Sequence, residues 1–343
     1  MREIDKSNMY DILKNFHKQI SEAIEIGRET NLGGFNFRGL KNVVINGLGG
    51  SAIGGDLIRS FTHYSSAVPI YINRNYHLPG FAGEDTLSVI SSYSGNTEET
   101  ISAFKESNKK GCRILCISSG GKVEEMALKQ NNLFIKIPGG LQPRCAVGYS
   151  FFVLLIILSR FGFYPVQDDD FTGVIENIKN NTDLFSDFDN DKNNALKIAK
   201  MLQNRLPVIY SSTDLLDVVN LRWRGQIAEN AKQLAYGNVY PEMNHNELVG
   251  WEKNRDILNK IIVVFLKDFE DNDRIKMRME ITEEIYEKYT NSVISVYGKG
   301  DSKLERIFNL IYLGDWVSYY LALLNNVDPT PVDAITYLKE KLS

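Results

Sequence analysis

Short apolar runs alternate with helix-length segments along most of this chain, and this alternation limits the possible fold more than any other feature. In the first half, the runs begin at Val43, Val68, Leu87, Arg113 and Phe134. In the second half, they begin at Leu206, Lys260 and Ser292. Short apolar runs bounded by Gly, Ser, Asn or Pro are typical of strands buried in a parallel sheet. The pattern predicts an α/β protein whose mostly parallel sheets are doubly wound, flavodoxin-like and flanked by helices.

The length of the chain and its pattern predict two domains. A chain of 343 residues is long for a single core, so two packed domains are the natural expectation. A helical segment over 149–161 closes the first series of strands, and the acidic stretch QDDDF from Gln167 resembles the start of a connection. We therefore predict domains at 1–165 and 166–343. An N-terminal helical stretch is expected over 10–26, and a long helix near 308–324.

The charge and the ends of the chain argue against several classes of partner. A formal net charge of -4 is unlike the basic faces of nucleic-acid-binding proteins. The N-terminal MREIDKSNMY has no apolar segment typical of a secretory signal. The longest apolar stretch, 151–158, is shorter than the roughly 20 residues that span a bilayer. We expect a cytoplasmic protein that binds neither nucleic acid nor membrane.

Metal-ligating residues show no pattern typical of a metal site. Cys112, Cys116 and Cys145 fit neither a disulfide framework nor a zinc site, and the four histidines are scattered. Cys112 and Cys116 are expected to be buried core residues. We predict no metal and no cofactor.

A glycine-rich segment, GLGGSAIGGD, begins at Gly47 directly after the Val43 run and opens a predicted helix. Glycines let the backbone approach an anion closely, while free N–H groups and the helix dipole hold negative charge. The segment therefore predicts a phosphate site that includes Gly49, Gly50 and Ser51.

The same segment also fits a dinucleotide-binding fingerprint through Gly47, Gly49 and Ala52. That fingerprint requires an acidic residue after the next strand to hold the ribose. Here Asn73-Arg74-Asn75 stands at that place. An NADP-dependent dehydrogenase with Arg74 on the 2′-phosphate is therefore kept as an alternative.

A second polar segment, SSYSGNTEET, begins at Ser91, follows another predicted strand and opens another helix. The hydroxyls of Ser92, Ser94 and Thr97 can turn toward one anion at the start of that helix. The alternative is a well-capped helix, because Ser, Asn and Thr are good N-cap residues and Glu follows in the first turn. Three hydroxyls beside a glycine loop favour phosphate binding.

Together these two segments resemble the sugar-isomerase (SIS) domain, and four further segments are similar to the bifunctional phosphoglucose/phosphomannose isomerase family. These four are LQPRCAVGYSF at Leu141, RWRGQIAENAK at Arg222, YPEMNHNELVGW at Tyr240 and DPTPVDAITYLKEKL at Asp328. The ordered motifs extend from residue 47 to the C-terminus. The resemblance implies two SIS-type domains that interconvert glucose 6-phosphate, and also mannose 6-phosphate, with fructose 6-phosphate through a metal-free cis-enediol.

The resemblance also implies the site residues. Glu229 matches the base that shuttles a proton between C1 and C2, and Arg144 matches the arginine that stabilises the enediolate. His245 matches the histidine that opens the sugar ring, which in this family comes from the neighbouring subunit of a homodimer. Lys339 matches a lysine near the ring oxygen, and Thr330 is the candidate for the residue that selects between epimers.

A non-catalytic sugar-phosphate sensor is the second alternative, because SIS domains also occur in regulators. Such a protein would keep both phosphate loops but lack a positioned carboxylate. It would usually add a DNA-binding helix pair, which neither the N-terminus nor the charge of this chain suggests.

Overall fold

The computed structural model describes residues 2–290 and 292–342, and the chain divides into two compact units. The N-terminal unit comprises residues 16–168, and the C-terminal unit comprises the described residues of 1–15 and 169–343. Residues 2–15 therefore pack with the second half of the chain, whereas the sequence placed them in the first domain. The Tyr10 side chain explains this placement, because its ring packs 5.5 Å from that of Trp316 and its hydroxyl donates to the Ser186 carbonyl at 3.0 Å.

The N-terminal unit contains a sheet of five strands that all pair in parallel, in the order β2-β1-β3-β4-β5. This is the flavodoxin-like strand order, which confirms the predicted architecture. The strands are β1 (Asn42–Asn46), β2 (Ile70–Asn73), β3 (Thr86–Ser91), β4 (Arg113–Ser118) and β5 (Leu133–Lys136). The helices are α2 (Phe16–Glu29), α3 (Gly49–Thr62), α4 (Glu98–Lys109), α5 (Gly121–Lys129) and α6 (Leu154–Arg160), with a π-helical turn at Tyr149–Val153.

The C-terminal unit repeats this topology with one strand fewer, in the order β7-β6-β8-β9. Its strands are β6 (Leu206–Ser212), β7 (Tyr236–Tyr240), β8 (Ile261–Lys267) and β9 (Val293–Tyr297). Its helices are α1 (Met9–Lys14), α7 (Asp168–Ser186), α8 (Asn194–Leu202), α9 (Asp217–Ala231), α10 (Arg255–Leu258), α11 (Asp273–Tyr286), α12 (Lys303–Leu324) and α13 (Asp333–Leu342). The shared strand order supports the view that the halves are copies of one fold.

The structure refines two local expectations. The predicted helical stretch over 10–26 is helical and consists of two helices, α1 and α2, separated at Asn15. The acidic stretch at Gln167 lies at the boundary between the two units, which falls between Asp168 and Asp169, and it also begins α7 at Asp168. Carboxylates in a first helical turn interact favourably with the positive end of the helix dipole, so these acidic residues favour a helix start.

Helix α12 is long and apolar enough to cross a membrane by length and composition alone, but 94% of its apolar window is buried inside the protein. Its sequence is not one uninterrupted apolar run, because it contains Arg306, Asn309 and Asp315. Each of these polar residues is buried and hydrogen-bonded within the unit. Helix α12 therefore has the character of a core helix.

The strand ends of the N-terminal sheet are fixed by buried amides. The side-chain NH2 of Asn46, at the end of β1, donates to the Ser88 hydroxyl at 2.9 Å. The side-chain NH2 of Asn73, at the end of β2, donates to the Asn46 side-chain oxygen at 2.9 Å. Because buried polar groups cost free energy unless they are paired, these bonds hold the carboxyl ends of three neighbouring strands in register.

Candidate functional site

The topology brings the two polar segments together in the N-terminal unit. In a sheet of this order, ligands bind beyond the carboxyl ends of the strands, where the chain reverses its direction of winding. That point lies between β1 and β3. The glycine loop (Gly47–Ser51) follows β1, and the serine loop (Ser92–Thr97) follows β3. Both loops therefore flank the ligand-binding position of this fold.

Two glycines allow the loops to approach each other. A Cβ atom at Gly47 would lie 2.8 Å from the Ser91 carbonyl oxygen, and one at Gly50 would lie 2.3 Å from the Pro143 carbonyl oxygen. The same Cβ at Gly50 would lie 3.1 Å from the Arg144 Cα. A larger residue at either position would displace backbone, so the glycine loop lies directly against both the serine loop and the segment that carries Arg144.

Hydrogen bonds connect the hydroxyls of the two loops. The Ser51 hydroxyl accepts from the Tyr93 backbone N–H at 3.1 Å, and the Ser92 hydroxyl donates to the Thr97 hydroxyl at 3.0 Å. Ser51 and Ser92 are buried, whereas Ser94 is exposed. The structure therefore groups the predicted phosphate residues at one edge of the sheet, with Ser94 at the solvent side.

Helix α4 starts without a side-chain cap. Thr97 occupies the N-cap position with extended backbone angles (φ -67°, ψ 121°) but makes no capping hydrogen bond. Leu48 occupies the N-cap of α3, also without one. By contrast, Ser302 and Glu305 form a complete capping box at the start of α12. No side chain therefore covers the first N–H groups of α3 or α4, although the Ser51 N–H donates to the Leu48 carbonyl at 3.2 Å. The uncapped starts favour anion binding over the capped-helix alternative.

Arg144 is buried in a short 3₁₀ helix, Pro143–Cys145, beside the glycine loop. The Gln19 side chain anchors this segment, because it donates to the Cys145 carbonyl at 2.9 Å and accepts from the Gly148 N–H at 2.8 Å. The Tyr93 hydroxyl accepts from the Leu141 N–H at 3.0 Å. Burial raises the pKa of Tyr93, so the phenol stays neutral. Sequence reasoning singled out neither Gln19 nor Tyr93.

Arg74, the residue on which the dehydrogenase alternative depends, is already paired. Its guanidinium donates to the carboxylate of Asp56 on α3, which also accepts from Arg59 at 3.3 Å. A ribose 2′-phosphate at Arg74 would meet the Asp56 carboxylate as a like charge. The arrangement does not favour NADP.

Glu229 lies in the last turn of α9 and is half-buried. It lines a cavity of about 650 Å³ within the C-terminal unit, a volume in the range of small-molecule sites. The rest of the wall comes from the end of α9 and from the segment that connects α12 to α13. The principal lining residues are Glu229, Lys232, Asp328, Pro331, Val332 and Ile335.

Thr330 lies within that connecting segment and is buried. Its backbone N–H donates to the Asp328 carboxylate at 3.0 Å. Because Asp328 and Pro331 both line the cavity, the candidate epimer-selecting residue stands between two residues of the cavity wall. Its role remains a prediction.

His245 lies on a 3₁₀ helix, Glu242–His245, and its side chain is exposed. Apolar residues on both sides of His245 anchor the YPEMNHNELVGW segment, since Met243 and Trp251 are buried in the core. The carboxylate of Glu247 accepts hydrogen bonds from the Tyr210 hydroxyl and the Asn238 side chain. His245 is therefore presented outward from an anchored segment, and it does not line the Glu229 cavity.

Lys339 is exposed on α13, a helix for which no buried residue is found in its described part. The first turn of α13 contributes Asp333 to Ile335 to the Glu229 cavity, but Lys339 does not line it. The structure thus places Arg144 beside the glycine loop and Glu229 in a cavity, while His245 and Lys339 lie at the surface of the C-terminal unit.

At the corresponding position of the C-terminal sheet, the turn after β8 contains acidic side chains that are already paired. The Asp271 carboxylate accepts from the Asp268 backbone N–H at 2.9 Å, and Asp268 pairs with the buried Arg306 at 2.8 Å. The glycine loop has no counterpart after β6, where Thr213 and Asp214 follow the strand. Among the described residues, no group of three or more His, Cys, Asp or Glu side chains suits a metal ion.

Comparisons with known proteins agree with this arrangement. Residues 191–342 match the family model of the bacterial phospho-glucose isomerase C-terminal SIS domain. The chain is 42% identical over 336 residues to a bifunctional phosphoglucose/phosphomannose isomerase of Caldicellulosiruptor bescii, covering 98% of this chain and 99% of that protein. It is 38% identical to the Aquifex aeolicus protein of the same name, covering 88% and 90% of the two chains.

A solved structure supports the fold. The crystal structure of a glucose-6-phosphate isomerase like protein from Thermus thermophilus aligns with a TM-score of 0.65 over 96% of this chain and 95% of that chain, at 19% identity. The predicted SIS-type α/β fold is thereby confirmed, and so is the resemblance carried by the six motifs. With its full length matched at 42% identity, this chain belongs to the bifunctional phosphoglucose/phosphomannose isomerase family of sugar-phosphate isomerases.

Proposed function

We propose that the protein interconverts glucose 6-phosphate and fructose 6-phosphate, and also mannose 6-phosphate and fructose 6-phosphate, by proton transfer through a cis-enediol. The observation that carries the proposal is the serine loop. Its Ser92 and Thr97 hydroxyls lie 3.0 Å apart at the start of α4, where no side chain caps the helix. Uncapped N–H groups and clustered hydroxyls suit a phosphate ester.

The proton transfer requires a base at the reacting carbons. In this proposal the Glu229 carboxylate removes the proton from C2 of the open-chain aldose, and the electron pair forms the C1–C2 double bond. The carbonyl oxygen at C1 takes up a proton. Glu229 then returns its proton to C1 while the C2 hydroxyl loses its own proton and becomes the ketone. Such general base catalysis contributes about 100- to 10,000-fold to the rate.

The other proposed roles follow the needs of this reaction. The guanidinium of Arg144 is always charged and would stabilise the negative charge that develops on the enediolate oxygens. His245 would open the pyranose ring, because imidazole exchanges protons near neutral pH, and Lys339 would act near the ring oxygen. Glucose and mannose phosphates differ only at C2, and this difference disappears in the planar enediol, so one site can process both.

The function is tested with coupled assays on glucose 6-phosphate and mannose 6-phosphate, each with and without a chelator. We expect fructose 6-phosphate from both sugars at rates that the chelator does not change. Turnover of only one epimer would contradict the dual specificity. Loss of activity with the chelator, restored by a divalent metal, would contradict the metal-free mechanism.

The proposal includes a homodimer in which His245 acts at the neighbouring subunit's site. The support is that His245 is exposed and does not line the Glu229 cavity of its own chain. Mixing two inactive variants, Glu229→Gln and His245→Asn, tests the arrangement. After refolding together, about half of the dimers should be mixed, and each should hold one intact site, so that about a quarter of wild-type activity returns.

Two results of this mixing experiment have opposite meanings. Recovery that rises with the mixed fraction supports a shared site. If each site is built from one chain, every site keeps one defect and no activity returns. Mixing each variant with itself is the matched control.

A further inference from the structure

Lys232 directly follows α9 and adopts an unusual backbone conformation. Its φ of 53° and ψ of 35° are left-handed, a region that costs free energy for residues with a Cβ atom. The position after a helix is usually Gly or Asn for this reason. Every other non-glycine residue with positive φ in the described chain is Asn or Asp. A lysine at this unfavourable position suggests that the contacts of its side chain compensate for the cost of the backbone conformation.

The Lys232 side chain folds back over the end of α9. Its ammonium donates to the carbonyl oxygens of Glu229 at 2.7 Å and of Asn230 at 3.3 Å. The last carbonyls of a helix have no partner within the helix, and a positive charge interacts favourably with this end of the helix dipole. Lys232 therefore holds the backbone of the residue that carries the candidate base.

The same ammonium also reaches the segment opposite. It donates to the Pro329 carbonyl oxygen at 3.4 Å, in the connection between α12 and α13. Asn325, which follows α12, donates from its side chain to the Ala231 carbonyl at 3.1 Å. Two side chains thus connect the end of α9 to the α12–α13 connection, which contributes Val327, Asp328, Pro331 and Val332 to the Glu229 cavity.

We infer that Lys232 is a positioning residue for the isomerase reaction: by bridging the backbones of Glu229 and Pro329, it sets the distance between the end of α9, which carries the catalytic carboxylate, and the α12–α13 connection that lines the same cavity. The inference rests on the proposed role of Glu229. Lys232 lines the same cavity, but its ammonium is bonded to three carbonyls and acts through them rather than on the substrate.

The test compares Lys232→Met, Lys232→Arg and Lys232→Gly with the control Lys200→Met, an exposed lysine of α8. We expect Lys232→Met to lower kcat by about 10- to 100-fold, since displacement of a reacting group by about 1 Å has effects of this size. Lys232→Arg should recover most of the rate, because a guanidinium also donates to carbonyls. Lys200→Met should match the wild type.

Lys232→Gly separates positioning from stability. Glycine accepts the left-handed backbone, so the thermal midpoint should stay close to that of the wild type while kcat falls as in Lys232→Met. A purely structural residue would lower both together. The pH profile of kcat/KM should keep its shape in all variants, because Lys232 is not expected to exchange protons with the substrate.

Hydrogen exchange provides a readout that is independent of the reaction. Amides of 327–332 should exchange faster in Lys232→Met and Lys232→Gly than in Lys200→Met. Wild-type kcat in Lys232→Gly would overturn the inference. A lower kcat with unchanged exchange would also overturn it and would indicate direct contact with substrate. If Glu229→Gln keeps full activity, the proposed function fails instead, whatever the exchange rates show.

Discussion

Replacing Glu229 by Gln is expected to lower kcat for both hexose phosphates by about 100- to 10,000-fold, with little change in KM. Glutamine keeps the size of the side chain and its place in the cavity wall, but it cannot take a proton from carbon. In the proposed mechanism, substrate binding depends mainly on the phosphate loops. The substitution should therefore slow the chemical step, which lowers kcat and leaves KM nearly unchanged.

Deuterium exchange isolates that step. With the wild-type protein in heavy water, solvent deuterium should enter C1 of fructose 6-phosphate, and Glu229→Gln should show almost no incorporation. Glu280→Gln is a matched control, since Glu280 is an exposed carboxylate on α11 of the same unit. Incorporation at the wild-type rate in Glu229→Gln would refute the assignment of the base.

Replacing Asp315 by Ala should have the largest effect on stability, a loss of about 3–5 kcal/mol in the free energy of unfolding. Asp315 on α12 accepts from Arg222 at 2.7 Å and from Gln226 at 2.8 Å, both on α9. The side chains of Arg222 and Asp315 are 3% and 5% exposed. Removing the carboxylate would leave a buried guanidinium without its counter-charge, which is costly.

Urea denaturation of the variants measures this loss. The double variant Arg222→Met, Asp315→Leu should regain most of it, because well-packed apolar residues often replace a buried ion pair without cost. Asp183→Ala, at an exposed position on α7, should change stability by no more than about 0.5 kcal/mol. A loss below about 1 kcal/mol in the free energy of unfolding for Asp315→Ala would contradict the prediction, because it would show that this buried pair contributes no more than a surface ion pair does.

This pair also belongs to the framework that carries the candidate base. One turn beyond Asp315, the Ser318 hydroxyl accepts from the Asn230 side chain at 2.9 Å. These polar contacts fix α9 against α12 over the whole stretch that ends at Glu229. The Asp315 variants should therefore lower kcat as well as stability.

Local sequence patterns predicted much of the fold. Apolar runs with polar boundaries predicted most strands of both sheets, because burial on two faces imposes a short-range pattern. The missed strand, β7, is an edge strand with sequence YGNVY, partly exposed at all but its last residue. An edge strand has fewer contacts to satisfy, so its composition is less constrained. The buried state of Cys112 and Cys116 was also predicted and is confirmed.

The candidate site was less accessible to sequence reasoning. The glycine and serine loops can be recognised in the sequence, because each is a run of glycine or hydroxyl residues directly after a predicted strand. The structure places the two loops next to each other, as expected. Gln19 acts on the Arg144 segment from more than a hundred positions away in the chain. Lys232 belongs to the same motif as Glu229, AENAK. However, its left-handed backbone and its hydrogen bond to the Pro329 carbonyl cannot be predicted from the sequence of that motif.

The sequence by itself determined the class of fold and the family, and it marked the glycine and serine loops as the candidate phosphate site, because each depends on patterns among neighbouring residues or on ordered motifs. Only the tertiary structure decided that residues 2–15 pack with the second half, that Arg74 is paired with Asp56 and that Glu229 lines one cavity with the α12–α13 connection. The physical reason is that burial and pairing are properties of residues far apart in the chain, and no local pattern records which distant group will be the partner.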